Sequence, residues 1–125
     1  MTIAEVSRKY DISADTLRYY ERIGLIPTVH RTAGGIRDYT PEDCNWVELA
    51  KCMRAAGMQV EALIEYVALF QRGEETFGAR KQLLIEQRDR LLERREEIQR
   101  GIDRLNGKIA GYERIFAPLE RRMRG

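Results

Sequence analysis

Residues 16–25 read TLRYYERIGL. Arg18, Tyr19, Tyr20 and Arg22 crowd into five positions of a run that ends at Gly24. Four side chains able to reach phosphate, placed this close together, fit either a surface built for a polyanion or an ordinary solvated helix face. Spacing separates them. Leu17 and Tyr20 share one face of a helix, while Arg18 and Tyr19 point outward. Ser13 is the N-cap candidate, with Asp15 and Thr16 in the first turn. Gly24 suits the left-handed position just past a helix end. Upstream, MTIAEVSRKY (1–10) begins with Thr2 and Glu5 in capping-box spacing and carries Ile3, Val6 and Tyr10 at helical intervals. Asp11-Ile12 is a short turn. Two short helices joined this way predict a helix-turn-helix, whose second helix enters the DNA major groove.

The stretch after it changes character. In PTVHRTAGGIRDYT (27–40), Pro27 forbids helix continuation and Gly34-Gly35 is a hairpin signal. Val29, Ile36 and Tyr39 are strand formers on either side, so a small two-stranded wing is expected, flanked by His30, Arg31 and Arg37. A helix restarts with Thr40 as N-cap, Pro41 at the first helical position, Glu42 and Asp43 favouring the dipole, and Gly57 closing it. Another amphipathic helix follows and ends at Gly73, with Val60, Leu63, Ile64, Val67 and Phe70 as its apolar set.

From about residue 76 the pattern steps by four and three. The seam is Leu84, Arg88, Leu91, Arg95, Ile98, Ile102, Leu105, Ile109, Tyr112 and Phe116, of which eight are apolar or aromatic. This is a coiled-coil signature, and one helix cannot bury such a seam alone. Arg88 and Arg95 interrupt it and can snorkel or set register. Gly101, Gly107 and Gly111 imply close packing or a break near the end. Pro118 is expected to end the helix, leaving a basic tail.

The totals bound the function. The chain has 125 residues, 22 Lys and Arg against 20 Asp and Glu, and a net charge of +2. Any basic footprint must therefore be local rather than global. The charged fraction of 34% fits a helix-rich protein. No apolar run approaches membrane length and MTIAEVSRKY lacks a signal-peptide core, so a cytoplasmic protein is expected. Cys44 and Cys52 lie eight apart, about 12 Å along a helix, too far for a disulfide within it. With His30 they are too few for a local zinc site. No nucleophile–base pair or phosphate loop is present, so neither enzyme activity nor a cofactor is expected.

The order of parts, and above all LRYYERIGLI (17–26), the wing and EDCNWVELAKCMRAAGM (42–58), resembles the MerR family of bacterial transcription regulators over essentially the whole chain. Residues 46–76 are similar to the aldehyde- and electrophile-responsive branch called NmlR-like or AdhR-like. The resemblance implies an all-α fold with a small β wing. A winged helix-turn-helix with its helix pair occupies 1–75, and a long antiparallel coiled-coil dimerisation helix with a short tail occupies 76–125. It implies a homodimer on double-stranded promoter DNA that distorts the promoter for RNA polymerase, without a metal, a cofactor or a membrane. Its DNA contacts fall on Ser13, Thr16, Arg18, Tyr19, Tyr20, Arg31, Arg37, Tyr39 and Arg54, and its reactive thiol on Cys52.

The residues alone leave alternatives open. Arg18 and Tyr19 suit phosphate and base edges, whereas Arg31 and Arg37 could merely solubilise a hairpin and Arg54 merely complement a helix C-terminus. Cys52 shares a face with Leu49 and Ala56, which fits a buried inert thiol near an unfavourable dipole end. Activation there would need cations such as Lys51 or Arg54. Cys44, in a first turn, is the better nucleophile on dipole grounds. Trp46 and Tyr66 fit the core, and His30 the surface. Two other readings stand beside a thiol-sensing regulator: the same DNA binder without thiol chemistry, and a coiled-coil interaction module that no longer binds DNA.

Overall fold

The computed structural model describes all residues, Met1–Gly125. Six α-helices follow in order: α1 Ile3–Tyr10, α2 Ala14–Ile23, α3 Pro41–Ala55, α4 Val60–Arg72, α5 Phe77–Ala110 and α6 Ala117–Met123. The chain divides into two compact units, Met1–Gln87 and Arg88–Gly125. The first unit thus runs past the boundary expected near residue 75. The reason lies in the opening turns of α5. Leu84 packs on the core, and the Gln59 amide donates to Gln87 Oε1 at 2.8 Å while Gln87 Nε2 donates to Gln59 Oε1 at 3.2 Å.

Caps set the helix limits in the first unit. Thr2 accepts from the Glu5 amide and the Glu5 carboxylate accepts from the Thr2 amide, closing the capping box of α1. That hydrogen bonding holds the exposed Glu5 carboxyl below its ordinary pKa. Asp11 ends α1 in the left-handed conformation (φ 54°), which Asp tolerates better than most residues. Ser13 caps α2 by accepting from the Thr16 amide at 3.1 Å, and Gly24 ends it at φ 83°. Thr40 and Asp43 form a second reciprocal box at the start of α3, with Pro41 in its first turn.

The amphipathic faces of α1–α4 meet in one core containing Val6, Leu17, Leu25, Ile26, Val47 and Leu63, all at most 1% exposed. Each such side chain contributes about 1.5–3 kcal/mol of transfer free energy. Trp46 and Tyr66 pack against this core from its edge, and Trp46 meets Phe70 edge-on at 4.8 Å.

The wing differs from the expected two-stranded hairpin. It is a single antiparallel bridge, Arg31 opposite Arg37, held by Thr32 N–H to Ile36 O (2.8 Å) and Asp38 N–H to His30 O (2.7 Å). A ladder would need two return bonds, and side chains take both donors. Ile36 N–H goes to Thr32 Oγ1 and His30 N–H to Asp43 Oδ2. The next donors outward are also diverted: Val29 N–H goes to Glu21 Oε2 and Tyr39 N–H to Met1 O.

In the second unit no residue of α5 is fully buried. Ile98, Ile102, Leu105 and Ile109 are 44–70% exposed, so the seam has no partner within its own chain. Pro118 does not end the long helix. The helix stops at Ala110, a π-helical turn spans Tyr112–Phe116, and Pro118 sits in the first turn of α6, where its missing N–H costs nothing.

One carboxylate ties the wing to α2. Glu21 is 9% exposed at its side chain; Oε1 accepts from Arg37 Nε at 2.7 Å and Oε2 from the Val29 amide at 2.9 Å. Glu21→Ala would leave the Val29 amide and the largely buried guanidinium unpaired, which should cost about 3 kcal/mol. Glu21→Gln should cost less because its amide oxygen still accepts one bond. Urea unfolding of the two variants against the parent checks both the size and the order.

Candidate nucleic-acid interface

Helix α2 presents the site's exposed ridge. Leu17 is fully buried and Tyr20 leans on the core, which turns Arg18 and Tyr19 outward, Tyr19 with 45% of its surface exposed. Arg18 Nη1 donates to Asp15 Oδ1 at 2.9 Å, an exposed pair worth little in water and readily exchanged for a phosphate. Arg22 stacks its guanidinium over the Tyr19 ring at 5.3 Å, so a cation sits on the aromatic face. Ser13 and Thr16 stand at the N-terminus of the same helix. Their hydroxyls are bonded to each other at 2.8 Å, beside amides whose dipole favours an anion.

The wing residues divide. Arg31 is exposed and donates from Nη1 to Gly35 O at 2.9 Å, which steadies the turn at Gly35 (φ 83°). Arg37 faces inward and its Nε is engaged by Glu21, so its first role is to hold the wing. Tyr39, expected as a DNA contact on the wing, is a core residue with 2% exposure. Its hydroxyl is buried without a hydrogen-bond partner, and burial pushes the phenol above its ordinary pKa. Tyr39 joins Val29 and Cys44 in the one buried cluster. His30 is exposed with Nδ1 3.6 Å from Asp38 Oδ2. Arg54, exposed at the end of α3, donates from Nη1 to Met58 O at 2.5 Å, which closes the turn into α4.

Glu21 is the functional residue that sequence reasoning passed over. Its spacing placed it beside the outward Arg18 and Arg22, and only the return of the chain through Val29 and Arg37 reveals a carboxylate with two bound donors. An acidic residue within a basic helix is the signal that could have flagged it.

The two thiols are opposite in access. Cys44 is 5% exposed, with Sγ 3.9 Å from Met1 Sδ. Cys52 is exposed, contrary to the buried alternative. Its sequence neighbours are occupied elsewhere, Lys51 Nζ on the Tyr10 carbonyl and Arg54 on Met58 O. No group of three His, Cys, Asp or Glu side chains is gathered as a metal site. No helix is long and apolar enough to cross a membrane.

Comparison with known proteins places this geometry. Residues 1–69 match the family described as MerR HTH family regulatory protein. The chain is 55% identical over 93 residues to the HTH-type transcriptional regulator AdhR of Bacillus subtilis, a match covering 74% of this chain and 66% of that protein. It is 32% identical over 116 residues to an HTH-type transcriptional regulator of Haemophilus influenzae, covering 93% of this chain and 86% of the relative. A crystal structure of a MerR family transcriptional regulator from Listeria monocytogenes superposes with a TM-score of 0.78 at 45% identity, covering 99% of this chain and 94% of that one. HiNmlR, a MerR family regulator lacking the sensor domain and solved bound to promoter DNA, superposes with a TM-score of 0.70 at 32% identity, covering 93% and 92%. The exposed, capped α2 ridge, the bridged wing beside it and the long helix with its open seam are thus those of a transcriptional regulator, and the chain belongs to the MerR family, on the side of its AdhR-like and NmlR-like members.

Proposed function

We propose that the protein is a homodimeric promoter-binding regulator that distorts its DNA and responds to aldehydes or related electrophiles through Cys52. The observation that carries the DNA reading is the outward ridge of Arg18, Tyr19 and Arg22 on a helix whose opposite face packs on the core through Leu17, Tyr20 and Ile23. Likeness to HiNmlR, which was solved on promoter DNA, supports it. Helix α2 enters the major groove, Arg18 and Tyr19 reach base edges or phosphate, and Ser13, Thr16, Tyr20, Arg31 and Arg54 lie along the backbone. Arg37 acts by holding the wing at Glu21 and adds phosphate contacts only from the ends of its fork.

Two copies join along the α5 seam, because four isoleucine and leucine side chains at 44–70% exposure are otherwise left in water. A dimer with two DNA-reading lobes bends and untwists the DNA between its half-sites, an elastic cost that realigns promoter elements for RNA polymerase. Access supports Cys52 over Cys44 as the sensor, and Cys52 is where the electrophile-responsive branch that the sequence resembles carries its thiol. The thiol adds to the aldehyde carbon: an S–C bond forms, the carbonyl π bond opens, and the oxygen takes the proton. The adduct enlarges a side chain in the last turn of α3 and biases two arrangements of the lobes.

Three measurements test this reading. In the first, Arg18→Ala should weaken specific operator binding by roughly 1–3 kcal/mol, whereas Arg31→Ala should weaken binding to every sequence and lower the salt slope by about one. Fluorescence anisotropy over a salt series reads both; two unchanged affinities would remove the DNA face.

The second separates thiol sensing from a thiol-independent regulator. Cys52→Ser should keep operator affinity and lose aldehyde-induced transcription in vitro, while Cys44→Ser should keep the response. A reversed pattern would mean that the dipole at Cys44 outweighs its burial, and a full response in both would end the thiol reading.

The third concerns the dimer. Ile98→Asp with Leu105→Asp should yield monomers by analytical ultracentrifugation, and micromolar dimers in that variant would refute the α5 interface.

A further inference from the structure

Helix α2 contains two carboxylates, and the fold treats them oppositely. Glu21 is turned inward, 9% exposed at its side chain, and holds the wing. Asp15 is turned outward in the first turn, 96% exposed at its side chain. It stands beside the ridge that the promoter-binding reading lays against DNA, where a negative charge opposes the phosphates. Service at the helix end does not account for its placement. A first-turn acid favours the dipole without needing a partner, and the Ser13 hydroxyl already accepts from the Thr16 amide at 3.1 Å. The Asp15 carboxylate instead accepts from a side chain, with Oδ1 2.9 Å from Arg18 Nη1.

The pair sets a hydrogen-bond acceptor and a donor one hydrogen-bond length apart on the exposed side of α2. One base pair offers the complement. In the major groove a C·G pair shows the cytosine N4 amino group as donor and, beside it, guanine O6 and N7 as acceptors. The Watson–Crick bond joins N4 to O6, so these two also lie about 2.9 Å apart. Neither protein group is used up by the other. A carboxylate has two acceptor oxygens and a guanidinium five N–H donors, and the pair takes one of each. Other base pairs fit worse. A T·A pair turns the thymine O4 acceptor on the carboxylate. An A·T pair also shows a donor beside an acceptor, N6 beside O4. There, however, adenine N7 faces the second carboxylate oxygen, and the thymine methyl takes the place of guanine N7 on the arginine side.

We propose that Asp15 and Arg18 read one C·G pair in each half-site as a unit, with Asp15 accepting from cytosine N4 and Arg18 donating to guanine O6 and N7. Asp15 is then a specificity-determining residue. The proposal rests on the promoter-binding reading above and adds which base pair is read and by which carboxylate. The pair is weak in water, but both members gain partners in the groove, where water is displaced and charge-assisted bonds count for more. Asp15 adds little to gross affinity, because its charge is set against the phosphates. Its effect is discrimination, since at a wrong base pair the carboxylate meets an acceptor and stays unpaired.

Selection from a random-sequence duplex library with the full-length protein supplies the probe. The parent should enrich a dyad with a C·G pair at the same place in each half-site, and Asp15→Ala should lose the preference for cytosine at that place alone. Binding to the selected duplex then reads the atoms. Replacing that cytosine in both half-sites by a 2-pyrimidinone nucleotide removes only the N4 amino group. The change should weaken the parent by about tenfold or more and Asp15→Ala by less than about threefold, a comparison that cancels any effect of the altered duplex itself. Asp15→Asn should move the preference at that place towards A·T, because an amide pairs with adenine N6 and N7. Equal losses in the parent and Asp15→Ala on the modified duplex overturn the assignment, as does an unchanged C·G preference in Asp15→Asn. A uniform change in affinity across all sequences also overturns it, since a role confined to the helix end gives that result. A parent that enriches no sequence overturns the DNA reading itself, whereas a parent with a clear consensus and no dependence on N4 overturns only the role of Asp15.

Discussion

The carboxylate of Glu21 is the constraint on which the segment between α2 and α3 depends. A segment with one bridge cannot hold its own shape in water, because a lone bridge returns little for the backbone entropy it fixes. Glu21 replaces the missing ladder. It binds the segment at Val29 on the way out and at Arg37 on the way back, and both anchors lead to the same α2 turn. The segment between α2 and α3 is therefore tied to α2 at two points. The low exposure of the pair strengthens its attraction, and the second bond from the Val29 amide offsets part of the desolvation cost.

The long helix obeys a different constraint. Its opening residues, through Gln87, belong to the first unit with Leu84 packed against the core, and the rest exposes a row of apolar side chains that no element of its own chain covers. Association is the ordinary physical remedy for such a row. The break at Gly111 then acquires a purpose. A π-helical turn shifts the phase of the side chains, and Pro118 restarts the helix without losing a bond, so α6 can present a face that a straight continuation would not.

The two cysteines show how access can outrank intrinsic reactivity. Cys44 stands in the first turn of α3, yet it fills a core position against Met1 and meets almost no solvent. Cys52 lies at the less favourable end of the helix dipole and is open. A small electrophile must reach sulfur before it can react. Lys51 and Arg54 are drawn away to backbone carbonyls, so any cation that assists Cys52 in this reading comes from beyond its own helix.

The sequence by itself determined the local parts of this protein. Thr2, Ser13 and Thr40 cap the helices they precede, Gly24 and Gly57 take left-handed turns after them, and the four-three seam marks the long helix. These features depend on neighbours within a few residues, and so periodicity and cap chemistry reveal them. The outward set of Arg18 and Tyr19 was legible for the same reason, since one buried leucine fixes the phase of a short helix. What only the tertiary structure decided involves partners far apart in the chain. Tyr39 reads as an exposed wing residue until α3 closes over it, and Arg37 reads as a free cation until Glu21, sixteen residues earlier, receives it. The wing's reduction to one bridge has the same origin, because Asp43, Glu21 and Met1 draw off donors that a local pattern assigns to a ladder. Hydrogen bonds of this kind go to whichever acceptor the fold brings nearest, and no spacing rule records that choice.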